Sequence, residues 1–178
     1  MRVIKAKERA IVEDDWRILP DGEAPQGNNQ ADNDQGKGQA NKGKSAVIVP
    51  FARYLAEGVA LTVAGGRVAI LLRGDQDLDA LAPHLSRLPL IAIDFPKFTD
   101  GRGYSLARLL RERYAYCGEL RAVGDVLRDQ LFYMARCGFD SFALRQDKDW
   151  EDALRAFDDF SVKYQPAADE PLPLYRRR

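Results

Sequence analysis

From Ala46 onward, short apolar runs alternate with single helical stripes, and this alternation restricts the chain to an α/β architecture with parallel strands. Ala46–Val49, Arg67–Leu72 and Leu88–Asp94 are strand-length runs, ended by Pro50, by Arg73-Gly74 and by a polar loop. Residues 51–62 set Phe51, Tyr54, Leu55, Val59 and Leu61 on one helical stripe, stopped by Gly65-Gly66. Residues 78–86 set Leu78, Leu81, Ala82 and Leu85 on another, with Asp75 and Asp77 as cap candidates. The same reading predicts helices near 104–115, 126–136 and 149–159, strands near 119–123 and 140–144, and a short last strand Ser161–Tyr164.

A local repeat supports this order. Cys117-Gly118 and Cys137-Gly138 each close a helical stripe and lead directly into a strand. Glycine just past a helix end takes the left-handed conformation without a Cβ penalty. Strands separated by single helices require parallel pairing and right-handed crossovers. The short spacing favours neighbouring strands in sequential order, as in part of a (βα) barrel. A partial barrel leaves one sheet face uncovered, so the N-terminal strands or a second subunit of a homodimer should cover it.

Four segments are expected. Residues 1–20 form an N-terminal β hairpin or flap, with Val3–Lys5 and Trp16–Leu19 flanking the polar Glu13-Asp14-Asp15. Residues 21–45 contain no Leu, Ile, Val or aromatic residue. They cannot bury enough apolar surface to offset backbone ordering, and are expected to be a disordered linker or insertion. Residues 46–165 make the α/β domain, and the tail 166–178, with three prolines, is irregular. Basic and acidic residues balance at 27 each, so no global field attracts nucleic acid or an anionic membrane. No apolar run is long enough to span a bilayer, and the first residues do not resemble a secretory signal. Two isolated cysteines suit a reducing cytoplasm.

Parallel strands present their carboxyl ends on one rim, where α/β proteins build their sites. Here that rim carries Arg73, Asp94, Asp125 and Arg145, and the longest loop adds Lys97, Asp100 and Arg102. Arginine forks and a helix N-terminus at Gly103-Tyr104 are suited to a small oxyanion. A plainer role competes for two of these residues: Asp125, after Gly124, has the position of a helix N-cap, and Asp100-Gly101 is a turn dipeptide. Gly101 and Gly103 make neither a dinucleotide fingerprint nor a phosphate-binding loop. Two cysteines and His84 cannot supply a four-ligand metal site. No redox cofactor is expected. Phe132, Tyr133, Phe139 and Phe142 fall at core spacing, and Trp16 is either a partner anchor or a lid over the core.

The segments IDFPKFTDGRGYSLARLLRERY, GELRAVGDVLRDQLFYMARCGFDSFALR and DDFSVKYQ resemble a bacterial family of unknown function whose members are described as oxidoreductases of sulfite reduction. Asp94, Pro96–Gly103, Gly124, Asp125 and Arg128–Gln130 carry the likeness. The genes of that family commonly lie beside sulfite reductase and the adenylylsulfate reductases. The resemblance therefore implies an accessory protein of assimilatory sulfite reduction with sulfite reductase as partner, touching it through Lys97, Asp100 and Arg102. The alternative is a small enzyme binding sulfite, sulfate or a phosphorylated metabolite on the same rim.

Overall fold

The structure, a computed structural model, describes residues 1–20, 22, 46–63 and 66–177. The expected linker at 21–45 thus falls outside the described residues except for Gly22, as does Gly65 of the expected helix stop. Among the described residues eight strands form a single sheet: β1 (Arg2–Lys5), β2 (Ala10–Glu13), β3 (Trp16–Ile18), β4 (Ala46–Pro50), β5 (Arg67–Leu72), β6 (Leu90–Phe95), β7 (Glu119–Gly124) and β8 (Ser141–Phe142). Among the described residues five α-helices accompany them: α1 (Phe51–Val63), α2 (Leu78–Leu81), α3 (Arg102–Glu112), α4 (Leu131–Arg136) and α5 (Trp150–Arg155). Short 3-10 turns extend α2 to Arg87 and α5 to Asp158, and one precedes α4 at Arg128–Gln130.

The strand order is β2-β1-β8-β7-β6-β5-β4-β3. From β3 to β8 all pairings are parallel and sequential, as the helix–strand alternation requires. The sheet is not purely parallel, however, because β1 runs antiparallel to both β2 and β8. The N-terminal hairpin exists with a different second strand. Its partner is Ala10–Glu13, while Trp16–Ile18 pairs in parallel with β4 at the opposite edge. The outermost strands, β2 and β3, are separated only by Asp14-Asp15. Three Cα steps span at most about 11 Å. The sheet must therefore curl until its edges approach, which gives a half-barrel.

The convex face packs on the helices. Ile70, Leu72, Ile91, Ile93, Leu120, Ala122, Phe142 and Ile4 meet Leu106 and Leu110 of α3, Leu131 and Met134 of α4, and Ala153 of α5. The concave face is closed by side chains. Trp16 is buried among Ala46, Ile48, Ala69, Leu90, Ala92 and Val123, so it is a lid rather than an exposed anchor. At the amino ends of β7 and β8 the concave side turns polar, around the fully buried Arg121.

The two Cys-Gly steps do different work. Gly138 has φ +107 and ends α4 in the expected left-handed turn, its N–H donating to the Ala135 carbonyl. After α3 the left-handed residue is Ala115, φ 49, and Cys117 lies five residues beyond the helix, exposed, whereas Cys137 is buried. Arg111 of α3 ties both turns together. It donates through Nε to the Gly138 carbonyl (3.0 Å), through Nη1 to those of Gly118 (2.9 Å) and Tyr116, and through Nη2 to Asp140. The stretch Ser161–Tyr164 is irregular rather than a strand, and the tail contributes only a 3-10 turn, Leu174–Arg176, and an isolated bridge.

Candidate functional site

The expected rim residues gather around the carboxyl end of β6. Asp94 lies on the concave side, partly covered, with Arg73 Nε at 3.9 Å. Beside it Gly124 has φ +95, and a Cβ there would sit 2.8 Å from Asp94 Oδ1. Burial pushes the Asp94 carboxyl above the usual range. Arg73 opposes that shift and the negative charge of Asp100 adds to it.

The loop that follows β6 is held by its backbone. The Phe98 N–H donates to Asp125 Oδ2 (3.1 Å), and Gln130 Nε2 donates to the Phe98 carbonyl (2.7 Å). A turn closes the loop, with the Asp100 N–H on the Lys97 carbonyl. This corrects the N-cap expectation for Asp125. The helical run begins only after Leu127, and the Asp125 carboxylate spans to the neighbouring loop instead. Clamped on both sides, the loop presents Lys97 and Phe98 to solvent, Phe98 at 50% exposure. Among the described residues the Lys97 amine has no ion pair or hydrogen bond.

The arginine forks are closed. Arg102 binds Asp100 in a bidentate pair, Nε–Oδ1 2.9 Å and Nη2–Oδ2 2.7 Å, while the Arg102 N–H also meets Asp100 Oδ1. Those hydrogen bonds hold the Asp100 carboxyl down to about 2. The Arg102 stem rests on Gly74, where a Cβ would stand 2.7 Å from that of Arg102. Arg145 likewise forks onto Asp147 (2.9 and 2.7 Å) and reaches Asp125 Oδ1 (3.1 Å). The Arg102 and Arg145 forks thus already hold carboxylates, Arg73 only approaches Asp94, and the Arg102 N–H at the start of α3 is taken by Asp100. Among the described residues Lys97 is unpaired at this end, and Arg73 has only its 3.9 Å approach to Asp94.

Sequence reasoning missed the apolar surface beside this loop. Tyr133, one turn after Gln130, is not core: its ring stands 5.5 Å from that of Tyr104 and faces outward. With Phe160, Val162 and Tyr164 it lines a groove of about 620 Å³, and these four side chains are 59–63% exposed. The buried positions of α4 are Leu131 and Met134, and of the two aromatics read as core there Phe132 is only half-buried. Only the tail's path, invisible locally, decides what covers Tyr133.

Asp94 supports a direct prediction. A carboxyl raised by burial favours its neutral form in the fold, so its ionised form costs stability at pH above the folded pKa, and that cost vanishes below the unfolded value of about 3.9. Asp94→Asn should therefore be more stable than the parent at pH 7, and the two should converge near about pH 3. Urea titrations at both pH values measure this. An Asn variant less stable at pH 7 would contradict a carboxylate held there at a cost.

Among the described residues no group of three or more His, Cys, Asp or Glu side chains is placed to hold a metal ion, and no helix is long and apolar enough to cross a membrane. A search of curated proteins finds no match. A family model described as a bacterial protein of unknown function (DUF934) matches residues 69–175, from β5 through the tail, and so takes in every rim residue discussed here. The chain belongs to that bacterial family of unknown function.

Proposed function

We propose that this protein is a cytoplasmic accessory protein of assimilatory sulfite reduction, which docks on sulfite reductase through the loop after β6 and the neighbouring face of α4. The pathway and the partner come from the sequence resemblance. The observation that carries the docking mode is the clamped loop, which holds Phe98 and Lys97 outward while Arg102 and Arg145 are already paired. A rigid loop with an aromatic tip is suited to binding a protein, since little ordering entropy remains to be lost. The exposed Tyr133, Phe160, Val162 and Tyr164 extend the apolar surface that such a partner would cover.

The test is co-elution of the untagged chain with sulfite reductase from cells grown on sulfate. Phe98→Ala and Tyr133→Ala should each weaken the association by at least about tenfold, as truncation of interface aromatics does. Lys97→Ala should mainly slow association and reduce its salt dependence. A chain that elutes alone, or variants that bind like the parent, would remove this reading.

Asp94 favours a second reading, a small enzyme acting on sulfite, sulfate or a phosphorylated metabolite. A partly buried carboxyl with a raised pKa, beside Arg73 in the mouth of a half-barrel, is placed as a general acid or base would be. Calorimetry with these anions decides: saturable heat abolished by Arg73→Ala supports it, and no heat with any of them excludes it.

A further inference from the structure

A second cavity, of about 440 Å³, opens at the amino ends of β7 and β8, on the side of the sheet away from the rim. Its size lies within the ~300–1,000 Å³ range of small-molecule sites. Phe132, Phe139 and Phe157 give it an aromatic floor. Its back wall is fixed and chemically closed. Arg111 spends its donors on three carbonyls and Asp140, and the Asp140 carboxylate also accepts the Leu120 N–H (2.9 Å).

The mouth is different. Lys7 is 86% exposed, and its amine stands 3.7 Å from Asp140, beyond hydrogen-bond reach. The Arg9 guanidinium lies over the Phe157 ring at 5.3 Å, paired outward to Asp158 (2.9 Å). The Lys163 amine lies over the Phe132 ring at 5.6 Å and pairs with Asp169. Three cations thus stand around an aromatic floor: Lys7 makes no hydrogen bond to the fixed Asp140, Arg9 is held only by the well-exposed Asp158, and Lys163 is paired with the largely covered Asp169.

Backbone strain falls at the same place. Among the described residues only Arg9 (φ 50) and Ala115 (φ 49) are non-glycine residues with positive φ. Arg9 is in the β1–β2 turn at the mouth, and Ala115 immediately precedes Tyr116 and Cys117 of the wall. Glycine would hold either turn without a Cβ penalty, and strained non-glycine residues cluster at functional sites. At the first turn the same Arg9 carries its guanidinium over Phe157.

We propose that this cavity binds a small aromatic anion: a planar ring carrying a carboxylate, sulfate or phosphate. The ring would lie against the phenylalanine floor, and the oxyanion would meet Lys7, Arg9 and Lys163. The site shares Phe132 and Lys163 with the groove beside Tyr133 but nothing with the loop after β6, so Lys7 and Arg9 test it separately from docking through Phe98.

Phenyl phosphate and benzoate are the probes, with phenol and inorganic phosphate as the ring-only and anion-only controls. Calorimetry and ligand-observed saturation transfer on the full chain should show one-to-one binding of at least one aryl anion, at least tenfold tighter than either control. The double variant Lys7→Glu/Arg9→Glu, and separately Lys163→Glu, should weaken it at least tenfold with an unchanged thermal melt, while Lys97→Glu on the rim leaves it intact. No saturable binding, binding no tighter than the controls, or equal loss in Lys97→Glu would overturn the proposal.

Discussion

Arg121→Ala is expected to lower the unfolding free energy by about 3–5 kcal/mol, the cost of leaving buried charges without their partner. Arg121 is fully buried on the concave side of β7. Its Nε donates to Glu119 Oε1 and Ser141 Oγ, both at 3.1 Å, and its Nη2 donates to Glu119 (2.7 Å) and to Asp14. Without it Glu119 keeps Lys5 at 2.6 Å and the Ser141 hydroxyl, but Asp14 loses its contact with β7. Asp14 joins the two sheet edges, so the substitution also loosens the closure of the half-barrel. Arg121→Met, which keeps most of the stem's volume, should recover only the packing part. Adding Glu119→Gln should recover more, because neutral replacement of a buried pair is far cheaper than halving it.

The pH dependence gives an independent check. Burial pushes the Glu119 carboxyl up, but hydrogen bonds from Lys5 and Ser141 and the charge of Arg121 outweigh it and hold the pKa below the usual range. A depressed carboxyl stabilises the fold above its unfolded pKa, about 4.3, and that stabilisation is lost as the pH falls through the folded value. The gap between parent and Arg121→Ala should therefore narrow below about pH 4. Urea denaturation at pH 7 and in acid measures both terms. A loss under about 1 kcal/mol at pH 7, the range of an exposed ion pair, would show that this network does not hold the sheet closed.

What the sequence made legible follows the range of the interactions involved. β5 appears at the limits read from its apolar run, Arg67–Leu72, and β4 to β7 fall within two residues of expectation, because β4 to β6 are mostly continuous hydrophobic segments and all four lie between turn signals. Asp77 caps α2 as its position suggested, accepting from the Asp79 N–H. The misses are non-local. Trp16–Ile18 has the composition of a hairpin strand, but its partner β4 lies beyond the 21–45 segment, and no local pattern encodes that choice. Ala10–Glu13 is a four-residue run beside the polar Lys7-Glu8-Arg9, with no turn signal that separates it as a strand of its own. The concave polar network joins Lys5, Asp14, Glu119, Arg121 and Ser141, residues scattered over most of the chain. On the rim, the types Asp100 and Arg102 were visible. Their closure onto one another was not, because a spacing of two fits an open anion fork equally well.

Gly124→Ala is the second large effect, and it reaches the rim itself. At φ +95 an L-residue is strained whatever surrounds it, at about 1–3 kcal/mol. The added Cβ would also stand 2.4 Å from the Phe95 carbonyl oxygen and 2.8 Å from Asp94 Oδ1. The Phe95 oxygen belongs to a central strand and already accepts the Asp125 N–H at 2.7 Å, so it cannot move alone. Relief must displace the end of β6 from β7, carrying Asp94 and the loop whose Phe98 N–H rests on Asp125. We expect a loss of at least about 2 kcal/mol, and, if the proposed docking holds, weaker association through Phe98. Gly118→Ala is the control. Its Cβ would meet the Tyr116 hydroxyl at 2.2 Å, a worse contact on paper, but its φ is not positive and the neighbour is the end of a side chain. Tyr116 is buried but borders open cavities, so its ring can shift at the cost of its hydrogen bond to the Leu88 carbonyl (3.0 Å), about 1 kcal/mol, and of some packing. Thermal melts of the two variants should therefore rank Gly124→Ala well below Gly118→Ala. The reverse order would mean that the junction of β6 and β7 can give where the strand geometry says it cannot, and that the rim is not the rigid platform that docking through Phe98 requires.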